Sequence, residues 1–361
     1  MKFHWKNNTK RIFAALLVYL LFGTVVRGLV AEDKWTQKAD MPTPRWSLAV
    51  SVVDDKIYAI GGSLQRPLST VEVYHPATDT WQRRANMPTP RVRLSTSAVN
   101  GKIYAFGGVT NGAITLSAVE AFDPAINSWE RRTQLPVPMG AMATSAVNGK
   151  IYVIGGYDKP KRVAYSTVFE YDPAADTWTK KAKMPTARGS LSTIAFKGKI
   201  YAFGGFDPGK FNPINPAARG KVLDTVEIYD PKTNRWATGQ KMPEAKGVCG
   251  IGVVNEKIYI IGGANSFNND TISTVDIYDP NKDIWIVGKA SRMPTSRSNV
   301  WAGEVDGKLY VFGGFSSDFG ILSTVEEYTP DGWPFPHAVS SRRKLPTLWG
   351  ALKRTNQRTD R

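Results

Sequence analysis

Four arginines recur at one place in this sequence. Arg45, Arg91, Arg188 and Arg297 each close a Met-Pro-Thr-x-Arg segment, and a fifth copy ends in Lys246. The remaining copy reads Leu-Pro-Val-Pro-Met and ends in Met139-Gly140, while Arg93 adds a cation two residues after Arg91. Guanidinium groups brought to one place favour carboxylates and other anions, because their planar fork donates two parallel hydrogen bonds. An Arg at a repeated position equally fits a structural bond to neighbouring loop carbonyls, so the set as a whole is the stronger candidate. Tyr157, Phe206 and Phe315 each follow a Gly-Gly doublet and would offer aromatic faces to a sugar or peptide. Glu72, Glu120, Glu227, Asp276 and Glu326 also recur at one position, which marks them as scaffold; the third copy departs with Phe169-Glu170.

The spacings say what must position these residues. Gly-Gly doublets stand at Gly61, Gly107, Gly155, Gly204, Gly262 and Gly313, each 20 residues after the Met or Leu of its Met-Pro or Leu-Pro pair. From the second Gly to the Val that opens the next run the distance is 9, 11, 12, 21, 12 and 11 residues, so most length variation lies in one connection. A repeat near 50 residues signals stacked supersecondary units. Each unit reads as four strands. A run of small residues (Ser47–Val53) comes first, followed by a K-I-Y-x-x-G-G run, a T-V-E-x-Y-D-P run and a Trp-centred run. Period-2 alternation and β-branched or aromatic content support strands. Asn-Gly at Asn100-Gly101 and Asn148-Gly149 marks hairpins, and Asp-Pro ends strand pairing.

The doublet, the downstream Tyr and the Trp at fixed spacing resemble the Kelch repeat, over roughly Trp35 to Trp333. The resemblance implies an all-β fold, a six-bladed propeller with four antiparallel strands per blade around a channel. Trp35-Thr-Gln-Lys-Ala-Asp-Met-Pro matches Trp178-Thr-Lys-Lys-Ala-Lys-Met-Pro, whereas Trp333 is followed by Pro334 and Pro336. The N-terminal Trp35 segment is therefore expected to supply the outer strand of the last blade, removing an open sheet edge. Loops entering the first strand and leaving the second share one face, with the Arg set rimming the channel mouth. The long connection Phe206–Asp224 reads as a cap over that mouth or as a plain insertion.

Three segments are expected: 1–31, a signal peptide or signal anchor; 32–336, the propeller; and 337–361, a basic tail. Lys2, Lys6, Lys10 and Arg11 precede the apolar run Ile12 to Val26, and Leu29-Val30-Ala31 fits a cleavage site. This pattern predicts an extracytoplasmic propeller, membrane-attached only through the N-terminal segment, with the tail a further docking candidate. Leu345, Leu348, Trp349 and Leu352 would form the apolar face of a short helix there. Net charge is +16, of which residues 1–31 carry +5 and residues 337–361 carry +6, so the basicity is mainly an end effect and nucleic acid is not expected as a partner. Cys249 is the single cysteine and reads as a small buried residue.

The three histidines, His4, His75 and His337, are scattered, and His75 replaces the Asp of an Asp-Pro pair. No cofactor or metal is expected, which separates this chain from copper-dependent Kelch oxidases. The pattern predicts a monomeric, non-enzymatic module binding a protein, peptide or acidic glycan through Arg45, Arg91, Arg93, Arg188, Lys246, Arg297, Tyr157, Phe206 and Phe315. The alternative implied by the resemblance is a sialic-acid mutarotase-like enzyme acting on an acidic sugar without metal.

Overall fold

The computed structural model describes residues 33–209, 220–266 and 270–332. Six four-stranded antiparallel sheets succeed one another along the chain. The first contains Ala49–Val53, Lys56–Ile60, Val71–His75 and Thr80–Arg83, in that spatial order. The innermost strands of the other blades are Ser95–Val99, Ala143–Val147, Ser192–Phe196, Gly250–Val254 and Trp301–Val305. Each innermost strand contacts the next, and the last contacts the first, so the ring closes around a channel.

The closing device is the one expected from the Trp35 match. Lys34–Lys38 pairs antiparallel with Val325–Thr329 and completes the sixth sheet. Trp35 also repeats a role its counterparts play elsewhere. The indole of each outer strand donates to a carbonyl of the preceding blade's exit segment, as Trp81 does to Ala39 at 2.9 Å and Trp35 to Ser291 at 3.3 Å. Asp79 accepts the Ala39 N–H at 2.8 Å and the Tyr74 hydroxyl at 2.6 Å; Asp33 takes the same part for Ser291 and Tyr328. The sixth blade is thus fastened by the same contacts as the others, although its outer strand comes from the far end of the sequence.

Burial explains the aromatic pattern. The apolar core is six clusters, each lying between adjacent blades. One joins Tyr58, Ile60 and Met87 to Ile103 and Phe122 of the second blade, and another joins Tyr310 and Phe312 to Ile57 and Tyr74 across the closure. Tyr74, Tyr171, Tyr229, Tyr278 and Tyr328 are fully buried, each removing apolar area worth roughly 1.5–3 kcal/mol.

The glycine doublets follow from this stacking. A Cβ on Gly61 would lie 2.7 Å from the Arg91 carbonyl of the next blade, and one on Gly313 would lie 2.5 Å from the Arg45 carbonyl across the closure. Both glycines adopt positive φ, +63° and +50°. Gly62 and Gly314 donate their N–H groups to those same carbonyls. The doublet is therefore the seat on which the next blade's entry segment rests.

The candidate site at the channel mouth

The segment entering each innermost strand bridges the segment leaving the second strand of its own blade, as in Trp46↔Ser63, Gly140↔Tyr157, Gly189↔Phe206 and Ser298↔Phe315. The two sets of loops form one layer at one end of the channel, as the strand directions require. Short ribbons rise from this layer: Tyr157–Asp158 with Val163–Ala164, Phe206–Asp207 with Lys221–Val222, and Phe315–Ser316 with Gly320–Ile321. The cap reading of the Phe206–Asp224 connection falls largely on residues 210–219, outside the described residues.

The repeated cations do not rim the mouth. Arg45, Arg91, Arg188, Lys246 and Arg297 all have 0% exposure, and each is paired within its own blade. Arg45 faces Glu72 at 2.9 Å, Arg91 faces Glu120 at 2.6 Å, Arg188 faces Glu227 at 2.8 Å and Lys246 faces Asp276 at 2.5 Å; Arg297 pairs with Glu326. The Thr two residues before each Arg completes the group: Thr43, Thr89, Thr186 and Thr295 donate to the same four glutamates. Arg91 and Arg297 also donate to carbonyls of the doublet and of the following connection. In the first and fourth blades the ion pair is close but poorly aligned, leaving Glu72 Oε2 and Glu227 Oε2 without a directed hydrogen bond. Desolvation lowers the pKa of Arg45 to about 10, opposed by Glu72 and reinforced by Arg83. Burial likewise lowers Arg91, Arg188 and Arg297, against the pull of their glutamates. These groups hold the loop layer onto the blades.

The third blade confirms the pairing by its exception. It carries Val137, Met139 and Phe169 where four blades carry Thr, Arg and Glu and the fifth carries Glu244, Lys246 and Asp276, and all three enter one apolar cluster. Cation and acid are lost together because either alone would be a buried, uncompensated charge. The sequence held this signal: the copy without the Arg is also the copy without the Glu.

Two residues beyond each buried cation or Met139 lies a left-handed residue, where the chain turns down into the innermost strand. These are Ser47, Arg93, Ala141, Ser190, Val248 and Asn299, with φ between 48° and 56°. Their peptide groups link blade to blade as a collar. Arg93 donates its N–H to Ser47 O at 3.0 Å, Ala141 to Arg93 O at 2.8 Å, Ser190 to Ala141 O at 2.7 Å, Val248 to Ser190 O at 2.9 Å, and Ser47 to Asn299 O at 3.3 Å. Because the collar uses main-chain groups, its side chains are free to differ, and among its six members only Arg93 is charged.

Above the collar lies a cavity of about 270 Å³, which brings together Arg93, Tyr157 and Phe206 from the second, third and fourth blades, with Ser190 and Asn299 beside them. The Arg93 guanidinium lies 5.9 Å from the centre of the Trp46 ring. Among the described residues it has no carboxylate partner and no side-chain hydrogen bond. Desolvation lowers its pKa, with Tyr157 opposing the shift. Three of the nine sequence-derived site residues therefore meet at the mouth. Phe315 is in the loop layer, half-buried against Ser298, and does not line the cavity. Sequence reasoning missed Ser190, Val248 and Asn299. Their signal was high variability at one fixed offset inside an otherwise repetitive segment.

A narrower space of about 40 Å³ continues below the collar, bordered by Cys249 and Trp301. The Cys249 thiol is buried and pushed up to about 12 by desolvation, so it stays protonated. Among the described residues no group of His, Cys, Asp and Glu suits a metal ion, and no helix is long and apolar enough to cross a membrane.

Comparison with known proteins agrees with this architecture. The family model described as the KLHDC2/KLHL20/DRC7 Kelch-repeats domain matches residues 30–205 and again residues 132–314. The chain is similar to Kelch repeat and BTB domain-containing protein 1 of cowpox virus strain Brighton Red, 28% identical over 135 residues, and to its counterpart in vaccinia virus strain Copenhagen, 29% identical over 135 residues. Each alignment spans 36% of this chain and 23% of the viral protein. The solved structure titled "Structure of YjhT" superposes with a TM-score of 0.68 at 17% identity, covering 80% of this chain and 95% of that one, which shows a shared fold. With six blades, their doublets and their Trp fastenings in place, the chain belongs to the Kelch-repeat family.

Proposed function

We propose that this propeller is a non-enzymatic interaction module that takes an acidic segment of a protein partner at the channel mouth. The observation that carries the reading is Arg93, a half-buried guanidinium facing a cavity, without a carboxylate partner among the described residues. A desolvated cation of this kind gains most from an incoming anion, since removing it from water has already been offset by the fold. One cation balances one negative charge, which favours a carboxylate over a dianion. Tyr157 and Phe206 give the flanking apolar contact that interaction surfaces use as anchors. The family's general use of propellers as protein-interaction modules supports the same reading. The basic and apolar leader of residues 1–31 supports an extracytoplasmic location for the module.

A mutarotase acting on an acidic sugar needs a proton donor and acceptor at the cavity. The described residues that line it include Tyr157 and neither a carboxylate nor an imidazole.

The test is selection of a displayed random-peptide library on the full chain. Recovered binders should be enriched in Asp and Glu. They should lose binding to Arg93→Glu and to Arg93→Gln while keeping it for Lys232→Glu, an exposed cation on the opposite face. Binders without acids, or binders indifferent to Arg93, would overturn the reading.

A further inference from the structure

The collar is open at one seam. Five of its six blade-to-blade links are made, and the absent one is between the fifth and sixth blades. Among the described residues, the N–H of Asn299 and the C=O of Val248 have no hydrogen-bond partner. The Asn299 side chain does not substitute: its Oδ1 accepts from Ser47 Oγ at 2.7 Å and its Nδ2 donates to Ser298 Oγ at 3.1 Å. Asn299 is only 8% exposed, and a buried peptide N–H without a partner is uncommon in folded proteins. Both residues line the same cavity as Arg93. The ring places the second blade opposite the fifth, so the seam faces Arg93 across the mouth. Val248 is also β-branched and held at φ +52°, a strained conformation of the kind that collects at binding sites.

Resting on the reading above, we propose that this seam is an amide-recognising subsite, in which a trans secondary amide of the bound peptide inserts between Asn299 N–H and Val248 C=O while a nearby carboxylate of the same peptide meets Arg93. The chemistry follows from geometry. In a trans amide the C=O and N–H point in opposite directions, so the group adds in series: Asn299 donates to the ligand carbonyl, and the ligand N–H donates to Val248. The ligand then supplies the sixth link of the collar, between two blades that main-chain bonds such as Gly263 N–H to Arg297 O already join in the layer above the strands. An ester offers the carbonyl without the donor, and acetate, once its one carboxylate is on Arg93, has no second group to reach the seam.

The experiment compares three small probes on the full chain by calorimetric titration: N-acetylglycine, its ester isostere acetoxyacetate, and acetate. N-acetylglycine is expected to bind about tenfold more tightly than acetoxyacetate, the effect of one added hydrogen bond in a desolvated site. Acetate should be weakest. Arg93→Gln should weaken N-acetylglycine and acetoxyacetate by a similar factor and leave their ratio unchanged. A ratio near one, with both probes still dependent on Arg93, would overturn the amide subsite and leave the anion site standing. Probes indifferent to Arg93→Gln would remove the underlying reading as well. If N-acetylglycine gave no binding, the subsite would likewise be refuted.

Discussion

Replacing Arg91 by Met alone would leave Glu120 buried without its cation. Breaking a buried pair from one side costs about 3–5 kcal/mol, whereas exchanging the whole group for fitted apolar residues is often neutral. The third blade supplies the fitted set in Val137, Met139 and Phe169. Arg91→Met is therefore expected to lower stability by several kcal/mol, and Thr89→Val, Arg91→Met and Glu120→Phe together to recover most of that loss. Denaturant midpoints of the single and triple variants check this, and a triple variant no better than the single one would contradict it. At the same scale Arg93, two residues from Arg91, obeys the opposite logic. Among the described residues it has no acid beside it, so Arg93→Gln should change the unfolding midpoint little while removing acidic ligands.

At the scale of the strand, the second and third strands of the second, third and fifth blades are tied near their far ends by a Lys–Asp pair. Lys102 meets Asp123 at 3.4 Å, Lys257 meets Asp279 at 3.2 Å, and Lys150 pairs with Asp172. The first blade has His75 in place of the Asp. Desolvation lowers its pKa below the ordinary value of 6.5, with Lys56 and Arg84 adding to the effect. The unfolded chain then binds the proton more readily than the folded one. Stability is complete above the unfolded pKa and declines as pH falls through and below it. His75→Asp removes this loss and gives Lys56 an acidic partner. Thermal melts near neutral pH and about one to two units below the ordinary His value should therefore show a smaller acid-induced drop for the variant than for the parent. Equal drops would mean that His75 does not contribute.

At the scale of the whole molecule, stability depends on closure. Trp35 joins the cluster between the fifth and sixth blades and reaches Ser291, while Lys34–Lys38 covers the edge of Val325–Thr329. Deleting residues 1–38 exposes that edge as a template for pairing with another chain. The truncated protein should melt at lower temperature and self-associate on gel filtration. Trp35→Ala, which keeps the strand, should cost about 3 kcal/mol through lost packing together with the lost bond to Ser291 O. A truncation that stays monomeric and equally stable would show that the sixth blade does not need its outer strand.

The repeat, the four strands per blade, the closing role of Trp35 and the face carrying the loops were legible in the sequence. Each depends on local periodicity or fixed spacing, such as the 20 residues from Met41 to Gly61, which the chain carries wherever it folds. The fate of the cations was not legible from position alone. Arg45 and Arg93 have the same chemistry and stand two residues from a collar position and on it, respectively; burial against Glu72 takes the first out of solvent, and the αL turn puts the second on the channel. Whether a charge is paired depends on residues tens of positions away in the sequence, brought within 3 Å by the blade, as in Arg45 with Glu72 at 2.9 Å. The open seam between Val248 and Asn299 is more remote still from the sequence. It belongs to the main chain of two blades, and only closing the ring determines which of six similar links is left unmade.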